Sequence, residues 1–141
     1  MHAGIRNDNI ITIVINNSLF GMTGGQCAPT SLPGQVTTST PHGKNPDQWG
    51  KPFKIEDAFS GLDIAYLARG AVDSVPNINK TKNYIRKAFQ KQMAGEGFSL
   101  VEILAPCPTN WNLTPAAALD RMENEIFKIY TLGEFIERSA K

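Results

Sequence analysis

Ile10-Ile11-Thr12-Ile13-Val14-Ile15-Asn16-Asn17 decides the fold class. The first six residues are all β-branched and suit a strand. They do not alternate with polar residues, so the run predicts burial on both faces, as for an inner strand of a parallel sheet. It stops at Asn16-Asn17, residue types that favour turns and polar contacts.

Downstream, residues 21–52 are rich in Gly, Pro, Ser and Thr and show neither helical nor strand period. Loops of that length in a compact domain are usually functional or disordered. Residues 57–67 read as a short helix, with Ala58, Phe59, Leu62 and Ala65 on one face. Residues 66–72 then begin a strand. Residues 81–93 form a better helix: Tyr84, Ile85, Ala88, Phe89 and Gln92 keep the period, and Gly95 and Gly97 stop it. Residues 98–104 are a second strong strand, ended by Ala105-Pro106-Cys107-Pro108, where two prolines forbid further pairing. Thr114 offers an N-cap and Pro115 a first helical residue, starting a helix to about Phe127. The tail through Lys141 is weakly specified. This alternation predicts an α/β fold, a partial open parallel sheet with helices on its faces, in one domain over residues 1–141. Ligands of such sheets lie beyond the carboxyl ends of strands. Two unusual segments begin there, residues 16–26 and 106–111.

Composition narrows the classes. The chain has 141 residues, 41% of them apolar, and a formal charge of +1. An ordinary core is possible, and no basic run exceeds the Lys80–Lys82 and Arg86–Lys87 clusters, which argues against nucleic acid. No apolar stretch approaches the roughly 18 residues of a membrane span. The start, Met1-His2-Ala3-Gly4-Ile5-Arg6, lacks a basic region followed by an apolar block, so the expected location is the cytoplasm. Cys27 and Cys107 form neither a CxxC pair nor a secreted disulfide framework.

Residues 16–26 read Asn-Asn-Ser-Leu-Phe-Gly-Met-Thr-Gly-Gly-Gln. Amide and carbonyl oxygens are hard ligands suited to Mg²⁺, which is usually held by a few protein oxygens plus phosphates. Exposed N–H groups around glycines suit a diphosphate. The same residues also make an ordinary turn, and the residues alone leave both readings open. Cys107 has two readings as well: a small buried hydrophobe, or a thiolate held between prolines beyond a strand's end. His2 and His42 receive no role, and Trp49 and Trp111 read as packing or subunit contacts.

Asn16-Asn17 after an apolar strand resembles the closing half of the thiamine diphosphate signature. Phe20-Gly21-Met22-Thr23-Gly24-Gly25-Gln26, with Pro29-Thr30 and Thr37-Thr38, resembles the β subunits of 2-oxoacid:ferredoxin oxidoreductases, nearest by eye to the 2-oxoglutarate and branched-chain 2-oxoacid branch. His2-Ala3, Arg6-Asn7, Ala68-Arg69-Gly70 and Pro106-Cys107-Pro108-Thr109 with Trp111 resemble further landmarks, so the likeness spans nearly the whole chain. It implies the C-terminal portion of a thiamine-diphosphate-binding fold. It also implies CoA-dependent oxidative decarboxylation of a 2-oxoacid, with electrons passed to iron–sulfur clusters and ferredoxin. By resemblance the Asn17 side chain and the Leu19 carbonyl hold Mg²⁺. Gly21 and Met22 contact thiamine diphosphate, Thr23 lies close to it, and Cys107 is a distant ligand of a [4Fe–4S] cluster. The implied partners are an α subunit, other subunits of the complex and ferredoxin, without nucleic acid or membrane.

The likeness is incomplete. The Gly-Asp-Gly that opens the signature, whose aspartate is the one charged protein ligand expected for Mg²⁺, is not among these residues. Nor are the Cys-x-x-Cys ligands of the cluster. Glycine at position 24 leaves the 2-oxoacid unassigned. The expectation is a subunit portion inactive alone. The alternatives are a non-catalytic remnant or interaction module, and a generic anion-binding α/β domain.

Overall fold

In the computed structural model, which describes residues 1–138, the sequence periods become twelve short elements. They are α1 (His2–Ile5), β1 (Ile11–Asn16), α2 (Pro46–Trp49), α3 (Ile55–Phe59), β2 (Tyr66–Ala71), α4 (Val75–Met93), β3 (Ser99–Leu104), α5 (Pro108–Trp111), α6 (Pro115–Arg121), a π-helical turn (Met122–Ile126), α7 (Phe127–Ile129) and β4 (Gly133–Glu137). The chain divides into two units. One comprises Met1–Ile15, Ile55–Leu104 and Leu132–Lys141; the other comprises Asn16–Lys54 and Ala105–Thr131.

The first unit holds a four-stranded sheet of order β1-β3-β2-β4. β2 and β3 pair in parallel with Tyr66 opposite Ser99 and Ala71 opposite Leu104. β1 runs beside β3 in the same direction, Ser99 N–H donating to Ile10 and Ala105 N–H to Asn16. β4 is antiparallel to β2. Side chains alternate across the sheet. Leu67 and Leu100 join Ile55, Phe59, Ile64 and Phe98 on one face, where the Phe59 and Phe98 rings stack at 5.7 Å. Tyr66, Ala68, Val101 and Ile103 meet Ala88, Tyr84 and Ile85 of α4 on the other.

Each residue of the Ala68-Arg69-Gly70 landmark has a physical reason. Ala68 is fully buried in the α4-facing cluster. Arg69 is fully buried too; its Nε donates to Glu102 at 2.5 Å, and its two terminal nitrogens donate to Glu56. Burial alone lowers the affinity of a guanidinium for its proton, and the two carboxylates more than reverse that. Gly70 leaves space for Thr81: a Cβ there would stand 2.1 Å from Thr81 Oγ1. That hydroxyl donates to the Ala71 carbonyl and accepts from the Ala71 N–H, both at 2.9 Å. One threonine thereby caps the last residue of β2 and pins α4 to it.

Several expectations need correction. β1 is an edge strand, not an inner one. Its apolar run does suit burial on both faces, with Val14 packed on one face and Ile11 on the other. Among the described residues, however, only β3 pairs with it, and Ile13 and Ile15 stay 44% and 61% exposed. The helix placed at 57–67 is the shorter Ile55–Phe59, because Gly61 follows and Tyr66 already belongs to β2. The helix placed at 81–93 starts six residues earlier, at Val75: Ser74 caps it through the Asn77 N–H and Pro76 lies in its first turn. The open, mostly parallel sheet is as expected, and the weakly specified tail adds one antiparallel strand to it, β4. Glu134 of β4 accepts from the Tyr66 hydroxyl at 2.7 Å and pairs with Lys87 at 2.8 Å.

Gly70→Ala should cost about 1–3 kcal/mol by overpacking against Thr81. Thr81→Ala should also destabilise, by leaving the Ala71 amide unsatisfied. Because the two residues share one space, the double variant should lose clearly less than the sum. Urea unfolding of the four proteins checks this; strict additivity would contradict the contact.

Candidate functional site

The second unit contains both segments that follow the strand ends. Asn16 Oδ1 accepts from the Ser18 N–H at 2.9 Å, and Ser18 adopts the left-handed conformation at φ 57°. This tight turn sends the chain away from the strand and presents Asn17. The Ser18 carbonyl accepts from Ser31 Oγ at 2.6 Å and Gln35 Nε2 at 2.9 Å. The buried Lys44 donates to the carbonyls of Ser31 at 2.9 Å and Pro29 at 3.2 Å. Desolvation pulls its ammonium pKa down from the ordinary value, against the attraction of the Cys27 thiol. The Gly- and Pro-rich stretch is therefore ordered, and side chains bonded to backbone order it.

From Phe20 to Gln26 the chain closes on itself. Phe20 N–H donates to Gln26 at 3.0 Å, Gly25 N–H to Phe20 at 2.8 Å, and Gly24 N–H to Gly21 at 3.3 Å. Thr23 Oγ1 donates to Gln26 Oε1 at 2.7 Å, and Gln26 Nε2 donates to the Thr23 carbonyl at 2.7 Å. The Met22 side chain projects fully into solvent.

The Pro106–Asn112 segment braces this loop. Asn110 Nδ2 donates to the Gly21 carbonyl at 3.2 Å and to Cys107 Sγ at 3.4 Å. The buried Trp111 donates its indole N–H to the Asn17 carbonyl at 3.2 Å. Gly21 lies at the centre: a Cβ there would meet Asn17 Nδ2 at 3.2 Å, Asn110 Nδ2 at 3.3 Å and Cys107 Sγ at 3.5 Å. Three of the residues selected from sequence, Asn17, Gly21 and Cys107, are thus brought together within the unit. Met22 and Thr23 lie on the same turn but outside that cluster: Met22 is in solvent, and the Thr23 hydroxyl bonds to Gln26. A groove of about 570 Å³ runs beside the loop, lined by Gly25, Thr37, Thr38, Thr109, Asn110 and Trp111 among others.

The chemistry on offer is neutral. Neither segment contains Asp, Glu, Lys or Arg. Among the described residues, no donor reaches the Leu19 carbonyl or the Asn17 side-chain oxygen, and the buried Ser18 hydroxyl has no partner. The oxygens without a donor and the orphaned hydroxyl belong to three consecutive residues, Asn17, Ser18 and Leu19, and the missing Cβ of Gly21 lets Asn17, Asn110 and Cys107 approach it closely. No group of three or more His, Cys, Asp or Glu able to hold a metal occurs among the described residues. Cys27 and Cys107 are both free thiols. Cys27 Sγ lies 3.6 Å from the Ala28 carbonyl, within its own turn.

Asn110 escapes a reading of the sequence, and Trp111, read there as a packing or subunit contact, also holds the loop through its indole N–H. The prolines around Cys107 draw attention to the segment, and its proximity to the end of β3 gives the direction. Nothing in one-dimensional spacing, however, ties residue 110 to residue 21.

Comparison with known proteins gives the family. The thiamine pyrophosphate enzyme family, C-terminal TPP binding domain, matches residues 1–103. The ketoisovalerate oxidoreductase subunit VorA of Methanothermobacter thermautotrophicus is 32% identical over all of this chain and 30% of its own length. The 2-oxoglutarate synthase subunit KorB of Archaeoglobus fulgidus is 36% identical over all of this chain and 55% of its own length. The chain thus spans between about a third and about half of these relatives. A solved 2-oxoglutarate:ferredoxin oxidoreductase from Magnetococcus marinus, with 2-oxoglutarate, coenzyme A and succinyl-CoA bound, shares the fold. Its TM-score is 0.65 at 20% identity, over 99% of this chain and 51% of that one.

Asn110→Ala removes two of the three hydrogen bonds of the brace, those to Gly21 and Cys107. A neutral hydrogen bond contributes about 1 kcal/mol, so the Gly24 and Gly25 amides should exchange with solvent about five- to tenfold faster. Amides of the β2–β3 pairing should be unchanged. Hydrogen exchange followed by NMR reads both; equal acceleration everywhere would mean global destabilisation and no specific brace.

Proposed function

The chain belongs to the C-terminal TPP-binding-domain family of thiamine pyrophosphate enzymes, and on that premise we propose that it is the cofactor-binding C-terminal portion of a 2-oxoacid:ferredoxin oxidoreductase β subunit. The observation that carries this is the convergence of Asn17, Asn110 and Cys107 on Gly21, in the two segments that follow β1 and β3 in the chain. Similarity to subunits named for ketoisovalerate and 2-oxoglutarate supports the substrate class, a 2-oxoacid.

In this reading Asn17 Oδ1 and the Leu19 carbonyl would hold Mg²⁺, which would supply the positive charge that a diphosphate needs. Gly21 and Met22 would contact the cofactor, and Thr23, bonded to Gln26, would lie close to it. When bound, thiamine diphosphate supplies the carbanion chemistry that decarboxylates a 2-oxoacid. The residues of this chain bind and orient it. Asn110 and Trp111 keep the loop in place, and the uncharged lining leaves the charge of the diphosphate to Mg²⁺ and to groups outside these segments. For a [4Fe–4S] cluster the donor set is too small, since a cubane takes four thiolates and the chain has two. Cys107 is therefore proposed as a single ligand, completed by cysteines from elsewhere in an assembled subunit, and Cys27 is not.

An α subunit, further subunits, ferredoxin and coenzyme A belong to the same proposal, as does a cytoplasmic location. No helix among the described residues is long and apolar enough to cross a membrane. The lack of a carboxylate in the two loop segments favours one rival reading, an interaction module that keeps the fold without the chemistry.

Calorimetry with Mg²⁺ and thiamine diphosphate at neutral pH separates these. The isolated chain should bind weakly or not at all, because two neutral oxygens face a divalent cation. Fusing the N-terminal portion of the Methanothermobacter thermautotrophicus subunit ahead of Met1 should create saturable binding. Asn17→Ala should weaken it about tenfold or more, roughly 1.4 kcal/mol. Micromolar binding by the isolated chain would overturn the need for an added carboxylate. A fusion that folds but does not bind would favour the interaction module.

A further inference from the structure

Helix α4 is basic throughout and open on one side. It carries Lys80, Lys82, Arg86, Lys87 and Lys91 and no acidic residue. Thr81 and Ala88 face the sheet. Along one flank, about 110° round the helix from Thr81 and Ala88, run Val75, Ile78, Lys82, Arg86, Phe89 and Met93, spaced by three or four residues, so they form one line down the helix. Val75 is 70% exposed, Phe89 48% and Met93 84%. The four apolar side chains form two exposed pairs, Val75 with Ile78 and Phe89 with Met93, one toward each end of the line.

The cations on this helix are not equivalent. Lys87 pairs with Glu134 and Glu137 of β4, and Lys91 with Glu96. Lys82 and Arg86 are exposed, and among the described residues neither has an ion pair; Arg86 donates only to Asn83 at 2.7 Å. These two stand in the middle of the apolar line, between Ile78 and Phe89. We propose that the outer face of α4 docks a partner protein through an amphipathic helix. That helix has apolar residues facing Val75, Ile78, Phe89 and Met93, and carboxylates facing Lys82 and Arg86.

Charge and position select this occupant. A second copy of α4 is disfavoured: antiparallel pairing centred near Tyr84 sets Lys82 against Arg86, and parallel pairing sets Lys82 against Lys82. A lipid surface is disfavoured because membrane-lying helices keep cations on the polar side of the apolar face. Here insertion of Ile78 and Phe89 would carry Lys82 and Arg86 toward hydrocarbon. A protein helix can meet both needs, with side chains interlocking along the line and carboxylates at its centre.

Two synthetic helices of the length of α4 test this. Both carry the same leucine seam; one has glutamate and the other lysine at the positions facing Lys82 and Arg86. Each is titrated into the isotope-labelled full chain by NMR. The glutamate helix should bind saturably, with shifts confined to α4. Raising salt from about 50 to about 300 mM should weaken it about fivefold or more. Lys82→Glu with Arg86→Glu, on a folded chain, should reverse the preference to the lysine helix. Equal binding of both helices, shifts centred elsewhere, or an unchanged preference in the reversed variant would overturn the proposal. So would self-association through α4. Sedimentation with phosphatidylglycerol vesicles, abolished by Phe89→Asp, would overturn it in favour of a membrane surface.

Discussion

A guanidinium with no solvent contact imposes the strictest condition on the sheet. Arg69 lies on β2, between β3 and β4, and requires Glu102 from β3 and Glu56 from α3 on its donors at once. The ring of Phe135 on β4 lies 5.1 Å from its charged carbon. A buried ion pair of this kind adds little net stability over a well-packed apolar alternative. Removing one member is severe, because the others are left charged and dry. Four elements must therefore take their places together or not at all. β2 and β3 owe their register, Arg69 opposite Glu102, to the same requirement.

The two loop segments are set by where those strands stop. β1 ends at Asn16 and β3 at Leu104, and the residues after them cannot continue a ladder. Asn16 turns the chain by accepting from Ser18, and the prolines at 106 and 108 remove N–H groups. The result is a site built largely from backbone, kept in shape by Asn110 and Trp111.

The legible parts of the sequence are those governed by local rules. The β-branched run makes a strand, Thr114-Pro115 starts a helix, and the period through Tyr84, Ala88 and Phe89 marks α4. The Asn17–Gly21 loop and Cys107 are legible as candidates because both follow strands. The features that escape depend on distant partners. β1 reads as inner because its composition suits two buried faces; composition cannot count neighbours. β4 escapes because Gly133–Glu137 holds only two large apolar residues, Phe135 and Ile136. It is held instead by pairing with β2 and by the Glu134 contacts to Tyr66 and Lys87. Asn110 escapes because its acceptors are a sulfur three residues before it and a carbonyl 89 residues away.

The loop between Ser18 and Lys44 inverts a familiar expectation about evolutionary drift. Loops usually vary freely because their side chains do little. Here Ser31 and Gln35 both donate to one carbonyl, Gln35 also accepts from Leu32, and Lys44 spans two more. Helix α4, by contrast, owes its own backbone bonds to no particular side chain beyond the Ser74 cap. Over generations, neutral change should therefore accumulate faster at helix positions away from the sheet and from the proposed docking line than in the irregular loop. A new specificity for this scaffold is more easily reached by altering what surrounds the loop than by rewriting the loop itself.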